Sequence, residues 1–212
     1  MWDAGIGAMK NSFETTNGCH PSLPAWSPEG DRIVTGCIYS PAEGDDRPAS
    51  VWSAESGALL LALESDKGES MKAEWSPDGR HIAVGYEQAV VKVWEVAAGK
   101  VVTVYAGHSG WVWGVAWAPS GDRIASADSE GNVKVWNAWT GQEVQAMRAP
   151  SSVFEMDWSP AGDQVIVAGA FNTPMVFQVW ESTEDLIAHA HECCVFRELT
   201  QEERVQFGLP PR

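Results

Sequence analysis

Residues 107–136 read GHSGWVWGVAWAPSGDRIASADSEGNVKVW, and this stretch contains three runs of alternating apolar and polar residues separated by turns. The runs cover residues 111–117, 123–127 and 133–136, and a fourth run follows at 142–147. Alternation rich in β-branched residues, between turns that contain Pro, Gly and Asn, is typical of short antiparallel strands. We therefore expect residues 111–147 to form one four-stranded sheet.

The same pattern recurs along the chain in two series of tryptophans that run in phase. In the first series each tryptophan is followed by Ser or Ala, then Pro and, two residues later, Gly; its members are Trp26, Trp75, Trp117 and Trp158. The second series marks the end of each third strand, and its members are Trp52, Trp94, Trp136 and Trp180. A small four-stranded sheet cannot cover both of its own faces, so we expect the copies to stack face to face around an axis.

The third copy resembles a complete WD repeat of a β-propeller, on the residues Gly107-His108, the turn at 117–121 and Val135-Trp136. The resemblance extends over residues 20–180 and implies an all-β propeller of four WD-type blades. In this family a buried His, a Ser or Thr, an Asp and a Trp hydrogen-bond to one another, and this sequence has Glu130 where the family has Asp. The resemblance implies such a structural tetrad in the third blade, and its members would be His108, Ser126, Glu130 and Trp136.

The two ends of the chain differ from the repeats. Residues 1–181 are predicted to hold the propeller blades, with a strand at 5–13 that belongs to a preceding or closing blade, so that the chain begins inside a repeat. Residues 182–212 show capping boxes and apolar residues at helical spacing, which predict a short helical C-terminal tail. This tail resembles the C-termini of bacterial WD-repeat proteins, and it suggests that Arg212 is a natural end.

The number of blades leaves three architectures open. Four blades is the lower limit for a propeller, so the chain could form a closed four-blade ring. It could also be a fragment of a longer propeller. The third possibility is half of a larger ring that is completed by homodimerisation or by a separate partner chain, because an open half-ring exposes two apolar blade faces.

Composition and charge narrow the partners and the location. The 212 residues include 14 Lys and Arg against 29 Asp and Glu, a net charge of −15. This field repels phosphate backbones and anionic lipids, and we expect neither nucleic acid nor membrane as a partner. Four cysteines are too few for a disulfide scaffold of the secreted type, so we expect them to be reduced and the protein to be cytoplasmic. The resemblance of the tail to bacterial WD-repeat proteins implies a bacterial-type cytosol.

The sequence shows no motif for catalysis or cofactor binding. The nucleophile motifs GxSxG and SxxK and the glycine-rich phosphate loop are absent, so no catalytic residue and no cofactor is predicted. His189, His191, Cys193 and Cys194 are residue types that suit zinc, which leaves a metal-binding enzyme as an alternative. Because neither CxxC nor HExxH occurs, we predict that these side chains do not form a metal site.

The residues at the start of each first strand are the best candidates for binding. Alignment on the Trp-Pro turns makes Ser22, Met71, Trp113 and Phe154 equivalent, and Trp111 lies two residues before Trp113. If they line one mouth of the ring, Met71, Trp111, Trp113 and Phe154 form an apolar patch for a protein or peptide partner. The alternative is that Met71 and Phe154 only fill the channel. The sequence thus predicts a non-catalytic protein-protein interaction scaffold or sensor module.

Overall fold

The computed structural model describes residues 12, 19–39, 49–63, 68–180 and 186–188. The chain divides into two compact units, Met1–Val179 and Trp180–Arg212. The second unit is helical at residues 186–188. The predicted strand at 5–13, the predicted boundary after residue 181 and the rest of the predicted helical tail lie outside the described residues.

The described part of the first unit contains 17 strands. In chain order they are β1 (His20–Pro21), β2 (Ala25–Trp26), β3 (Arg32–Thr35), β4 (Cys37–Tyr39), β5 (Ala49–Ser53), β6 (Leu59–Leu63), β7 (Ser70–Trp75), β8 (His81–Tyr86), β9 (Val91–Glu95), β10 (Lys100–Tyr105), β11 (Val112–Trp117), β12 (Arg123–Asp128), β13 (Asn132–Asn137), β14 (Glu143–Arg148), β15 (Val153–Trp158), β16 (Gln164–Gly169) and β17 (Met175–Gln178).

These strands form four antiparallel sheets, here called blades 1 to 4. The strand orders are β2-β3-β5-β6 in blade 1, β7-β8-β9-β10 in blade 2, β11-β12-β13-β14 in blade 3 and β15-β16-β17 in blade 4. The short strands β1 and β4 extend the sheet of blade 2 beyond β7. The all-β prediction with four repeated sheets is confirmed, and the bounds predicted for the strands of blade 3 are correct to within one residue.

The Trp-Pro turn has the same hydrogen bonds in every blade. In blade 1 the backbone N–H of Ser27 donates to the Arg32 carbonyl at 2.9 Å, and the N–H of Gly30 donates to the Ser27 carbonyl at 2.8 Å. Equivalent bonds close the turns of the other three blades. The glycine of each turn has a φ between 67° and 75°. A side chain strains that backbone conformation, which explains why Gly recurs at this position.

The core is divided among the blade interfaces. The first strands β7, β11 and β15 are neighbours, and one apolar cluster fills each interface between consecutive blades. In each cluster the turn tryptophan of one blade packs on small residues and valines of the blade before it. Trp158, for example, packs on Ala125 and Val135, and its Nε1 donates to the Ala116 carbonyl at 3.1 Å. The predicted face-to-face stacking is therefore observed.

The second tryptophan series ends differently from the prediction. In blades 1 to 3 the tryptophan of the third strand pairs with an isoleucine of the second, as Trp136 does with Ile124. In blade 4 the equivalent pair is Val165 on the second strand and Phe177 on the third. The prediction of Trp180 at this position was wrong, because register is fixed by backbone pairing and Phe fills the same apolar position three residues earlier.

Cys19 and Cys37 form a disulfide bond, so the expectation of reduced cysteines was wrong for this pair. Strands β1 and β4 pair antiparallel, with Pro21 opposite Cys37, and this pairing brings the two sulfur atoms together. Cys193 and Cys194 lie outside the described residues. Within the described ranges, no helix has the length and apolar character required to cross a membrane.

Candidate partner-binding surface

Three of the residues predicted to bind a partner meet at one surface. The ring centroids of Trp111 and Trp113 are 6.2 Å apart, and those of Trp113 and Phe154 are 6.1 Å apart in an edge-to-face arrangement. Trp111 is 50% exposed and Phe154 is 46% exposed. We call these three residues the aromatic patch; it joins the starts of the neighbouring strands β11 and β15.

Hydrogen bonds hold the loops under the aromatic patch. The backbone N–H of Trp111 donates to Ser129 Oγ at 3.1 Å, and the N–H of Ser129 donates to the Trp111 carbonyl at 2.9 Å. Ser152 Oγ in turn donates to the Ser129 carbonyl at 2.5 Å, which links blade 4 to blade 3. A surface fixed in this way loses little conformational entropy when a partner binds.

Met71 does not belong to the aromatic patch. Its side chain is only 4% exposed, as part of the core. Ser22, the equivalent residue of blade 1, is also buried, and its Oγ accepts a bond from the N–H of Gly36 at 2.9 Å. The extra strand β4 pairs with the start of β7, where Cys37 lies opposite Ser70. This pairing next to Met71 is specific to blade 2, and the sequence alignment of the blades did not indicate it.

A buried chain of hydrogen bonds fixes blade 3 behind the patch. Trp136 Nε1 donates to Ser126 Oγ at 3.0 Å, Ser126 Oγ lies 2.7 Å from His108 Nε2, and His108 Nδ1 lies 3.1 Å from Asp128 Oδ2. An ionised Asp128 accepts the Nδ1 proton, so the other ring nitrogen accepts the Ser126 hydroxyl proton. The ring of Tyr105 stacks on Trp136 with centroids 4.8 Å apart. The structure thus brings three of the four predicted tetrad residues together.

The fourth predicted member, Glu130, is not part of this chain, and Asp128 takes its place. Glu130 is exposed, and its Oε2 accepts a bond from Ser109 Oγ at 2.8 Å. Side chains two residues apart on a strand share a face, so Asp128 points the same way as Ser126. Glu130 lies in the turn after β12 has ended. The Ser126-Ala127-Asp128 alternation is the sequence signal that could have identified the correct residue.

The environment of Asp128 keeps it ionised. Burial by itself raises the pKa of this carboxyl, but hydrogen bonds from His108 and Asn132 outweigh burial and hold the pKa well below its usual range. One Asp128 oxygen also accepts the backbone N–H groups of Glu130 and Asn132, both at 2.9 Å. Asp128 therefore ties the tetrad to the turn next to the aromatic patch.

The other blades keep only parts of this chain. In blade 1, Trp52 Nε1 donates to Thr35 Oγ1 at 3.1 Å. In blade 2, Val84 stands where the hydroxyl would be, and the buried Nε1 of Trp94 has no hydrogen-bond partner. An unpaired buried donor costs about 1–3 kcal/mol, so blade 2 is stabilised by apolar packing alone at this position.

Ser126, His108 and Asp128 of blade 3 are hydrogen-bonded in the same order as the nucleophile, base and carboxylate of a serine hydrolase. However, solvent and substrate have no access to them. The side chains of His108 and Asp128 are fully buried, and Ser126 is buried with them. No group of three His, Cys, Asp or Glu side chains within the described ranges is arranged to hold a metal ion. The residues of the zinc alternative, His189, His191, Cys193 and Cys194, lie outside those ranges.

A cavity of about 530 Å³ lies among the first strands near the Trp-Pro turns. Its lining includes the charged residues Lys72, Glu74, Glu155 and Asp157, together with Trp26. Lys72 Nζ forms an ion pair with Glu155 Oε2 at 3.3 Å. Burial and, more weakly, the carboxylates of Asp157 and Glu155 raise the pKa of Glu74 to about 7, against an opposing effect of Lys72. The cavity is therefore negatively charged.

The turn of blade 1 lacks the neighbour that the turns of the other blades have. Trp26 is 50% exposed, whereas the equivalent tryptophans of blades 2 to 4 are buried. The glycines of those three turns each face a side chain of the preceding blade, namely Glu29, Pro77 or Pro119. Gly30 of blade 1 faces open space.

The opposite face of blade 4 is exposed in the same way. Ile166 is 44% exposed and Val176 is 58% exposed, whereas the equivalent residues of blade 3, Ala125 and Val135, are completely buried against blade 4. The described structure thus presents two apolar blade faces to solvent, one at each end of the series of blades.

Comparison with known proteins supports the fold. A model of the WD domain, G-beta repeat, matches residues 69–95 and 99–137, which cover most of blade 2 and blade 3. The crystal structure of the computationally designed Ika4 protein aligns with a TM-score of 0.67 over 82% of this chain and 100% of that chain, at 21% identity. At this identity the likeness shows the fold alone. No curated protein matches the chain.

Proposed function

The chain belongs to the WD-repeat family, and we propose that it is a rigid, non-catalytic platform on which a protein or peptide partner docks. The observation that carries this proposal is the aromatic patch, where Trp111, Trp113 and Phe154 contact one another at the surface. The WD-repeat fold by itself does not indicate which partner binds, so the proposal depends on this surface.

The physical basis is the large contribution that aromatic anchors make to binding. Buried tryptophans dominate the energy of protein interfaces, and neighbouring rings strengthen one another. Hydrogen bonds around Ser129 hold the Trp111 loop in place before a partner arrives. The net charge of −15 favours a basic partner through long-range attraction.

Photo-crosslinking tests this proposal at the predicted contact. Benzoylphenylalanine in place of Phe154 is expected to capture the partner in cells, whereas the same group at Val102 on β10 is not. The double change Trp111→Ala and Trp113→Ala should abolish capture. Trp139→Ala, which removes a tryptophan of similar exposure elsewhere, should leave capture unchanged. Equal capture from both positions, or capture that survives the double change, would refute docking at the patch.

A second candidate function is assembly into a larger ring through the two exposed blade faces. Trp26 on one face and Ile166 with Val176 on the other occupy positions that are buried between blades elsewhere in the chain. The two faces are of the two types that pack against each other between consecutive blades inside the chain. A second copy related by a two-fold axis, or a separate chain, would cover both faces.

Sedimentation velocity on charged variants tests this assembly. If two copies join head to tail, Trp26→Glu disrupts both contacts, and so does Ile166→Glu. A mixture of the two variants retains one contact between native faces, so it should associate more strongly than either variant alone. Monomers of the wild-type chain at all accessible concentrations would exclude the homodimer and leave a separate partner chain as the occupant.

The cytosolic location and bacterial origin remain predictions from the sequence. The disulfide between Cys19 and Cys37 provides a test of location, because disulfides persist mainly in oxidising compartments. Rapid alkylation of intact cells followed by mass spectrometry would measure the redox state of this pair. A reduced pair agrees with a cytosolic location, and a fully oxidised pair contradicts it.

A further inference from the structure

Arginine side chains contact the Trp-Pro turn of the next blade at two interfaces. The guanidinium carbon of Arg32 lies 4.8 Å from the ring centroid of Trp75, and its Nη2 is 3.5 Å from the Gly79 carbonyl oxygen to which it donates. Arg123 repeats this arrangement at the interface between blades 3 and 4. A guanidinium over a tryptophan ring gains cation–π energy, and the nearby carbonyl orients it.

The second example shows that the arrangement is a property of the turn. The Arg123 guanidinium carbon lies 5.5 Å from the ring centroid of Trp158, and its Nη2 donates to the Gly162 carbonyl at 3.4 Å. In both cases the ring and the carbonyl belong to one Trp-Pro turn. The ring and the carbonyl of that turn, here called the receptor, thus contact a guanidinium group at two of the three interfaces, and carboxylates of the arginine's own blade also contact it.

At the remaining interface an aromatic ring, not an arginine, lies against the tryptophan of the turn. Between blades 2 and 3, the residue equivalent to the arginines is His81. There the ring of Trp117 is approached by Trp139, with centroids 5.8 Å apart, and His81 contacts Trp139 at 4.8 Å. All three turns that follow another blade thus have an aromatic or cationic group over the tryptophan.

Blade 1 has the same turn with its binding face open. Its hydrogen bonds match those of the other turns, and Gly30 has the same backbone conformation. Trp26 is half exposed and Gly30 faces open space, and no described side chain stacks on the Trp26 ring. The receptor is therefore formed and accessible.

We propose that Trp26 and the Gly30 carbonyl bind the guanidinium group of an arginine on a partner protein. The cavity that Trp26 lines supplies charge complementarity, since it holds three carboxylates and one lysine. The lysine is paired with one of the carboxylates, Glu155, which leaves Asp157, joined by Glu74 once that group is ionised, to attract a cation. This inference goes beyond ring assembly, because an arginine in a peptide would satisfy the site.

A second copy of this chain, joined head to tail, does not present an arginine at the required position. In a head-to-tail dimer, blade 4 would present Gln164, which stands where blades 1 and 3 have Arg32 and Arg123. Gln164 is uncharged and shorter, and its Nε2 already donates to Gln178 Oε1 at 3.2 Å. A homodimer would leave the receptor without its cation.

Titration followed by NMR tests the site directly. The probe is N-acetyl-arginine amide, and N-acetyl-citrulline amide is the neutral control of the same shape. The indole Nε1–H signal of Trp26, assigned by its loss in Trp26→Phe, should shift saturably with the arginine probe. The citrulline probe should bind about 3- to 30-fold more weakly, the range expected for loss of a cation–π contact. An equal response to both probes, or none, would overturn the proposal.

Two sets of variants complete the test. Trp26→Leu should abolish saturable arginine binding, measured on the other indole and backbone signals, whereas Trp111→Leu, which removes an equally exposed tryptophan of another blade, should preserve it. Glu74→Gln combined with Asp157→Asn should weaken binding without moving the citrulline response; an unchanged arginine affinity would remove the role given to the cavity. Because the probe is small and the protein is kept dilute, these results do not depend on whether a ring assembles.

Discussion

Replacing Ser126 by alanine should destabilise the protein strongly, because this hydroxyl is the centre of the buried hydrogen-bond chain of blade 3. Ser126 Oγ accepts from Trp136 Nε1 at 3.0 Å and lies 2.7 Å from His108 Nε2. All three side chains are buried. In Ser126→Ala both nitrogens lose their partner, and water has no access to replace it.

The magnitude follows from the two groups left unpaired. A buried donor or acceptor without a partner costs about 1–3 kcal/mol, so the two together predict a loss of about 2–6 kcal/mol in the free energy of unfolding. In a Trp136→Phe background the indole donor is already gone. There Ser126→Ala should cost only about 1–3 kcal/mol, because His108 Nε2 is then the one group that loses its partner.

Equilibrium unfolding in urea measures both values. The control is Ser120→Ala, which removes an exposed hydroxyl in a neighbouring turn and should change stability by less than about 0.5 kcal/mol. A cost for Ser126→Ala below about 1 kcal/mol, at an unchanged m-value, would show that the chain contributes little. Equal costs in the two backgrounds would show that Ser126 and Trp136 are not coupled.

Three further predictions concern Val84, Glu74 and Arg123. Val84→Thr should give the orphaned Nε1 of Trp94 an acceptor and raise the free energy of unfolding by about 1 kcal/mol, and urea unfolding that shows no gain would contradict it. Glu74 has a pKa raised to about 7, so the folded state keeps a proton that the unfolded state loses, and stability should fall as pH rises from about 4 to 7. Glu74→Gln should remove this loss, and thermal melts should then show a more stable variant above pH 7 and no difference near pH 4. Arg123→Leu should cost about 1 kcal/mol by removing the cation over the next turn, whereas Arg80→Leu at an exposed site should be neutral in the same urea assay.

Much of the fold could be predicted from the sequence because its determinants are local and repeated. The Trp-Pro turn needs one glycine with positive φ, and the residues that form its hydrogen bonds are at most five positions apart. Alternation within each strand then identifies the apolar face. Repetition in four copies removed the ambiguity that a single short strand has, so the sheets and their stacking were predicted correctly.

The errors arose where the answer depends on contacts between distant segments. Phe177 occupies the position predicted for Trp180 because strand pairing sets the register, and a phenylalanine serves as well there. Met71 is buried beside a strand pairing that blade 2 alone possesses. The disulfide of Cys19 and Cys37 likewise depends on that extra pair of strands. Neither the extra strand pair nor the disulfide has a counterpart in the other described blades, so comparison among the copies could not reveal them.

The candidate site was partly predictable for the same reason. Trp111, Trp113 and Phe154 could be selected from the sequence, because alignment on the Trp-Pro turns places aromatic residues at the starts of the first strands of blades 3 and 4. Their mutual contacts could not, since they join two blades. Glu130 was chosen over Asp128 by matching the sequence to the family pattern, and that choice was wrong. Residues two apart on a strand lie on the same face, so the position of Ser126 would have pointed to Asp128.

The positions that repeat in sequence but differ in exposure are where function is to be sought. Trp26 has the same local structure as Trp75 and Trp158, so its exposure is caused only by the lack of a neighbouring face. A tryptophan buries about 150–250 Å², and covering the exposed half yields about 2–3 kcal/mol at about 25 cal/mol per Å². Ile166 and Val176 add to this on the other face. A partner that covers these faces therefore gains from contacts that the chain already uses internally, and the receptor for a guanidinium at Trp26 selects which partner gains most.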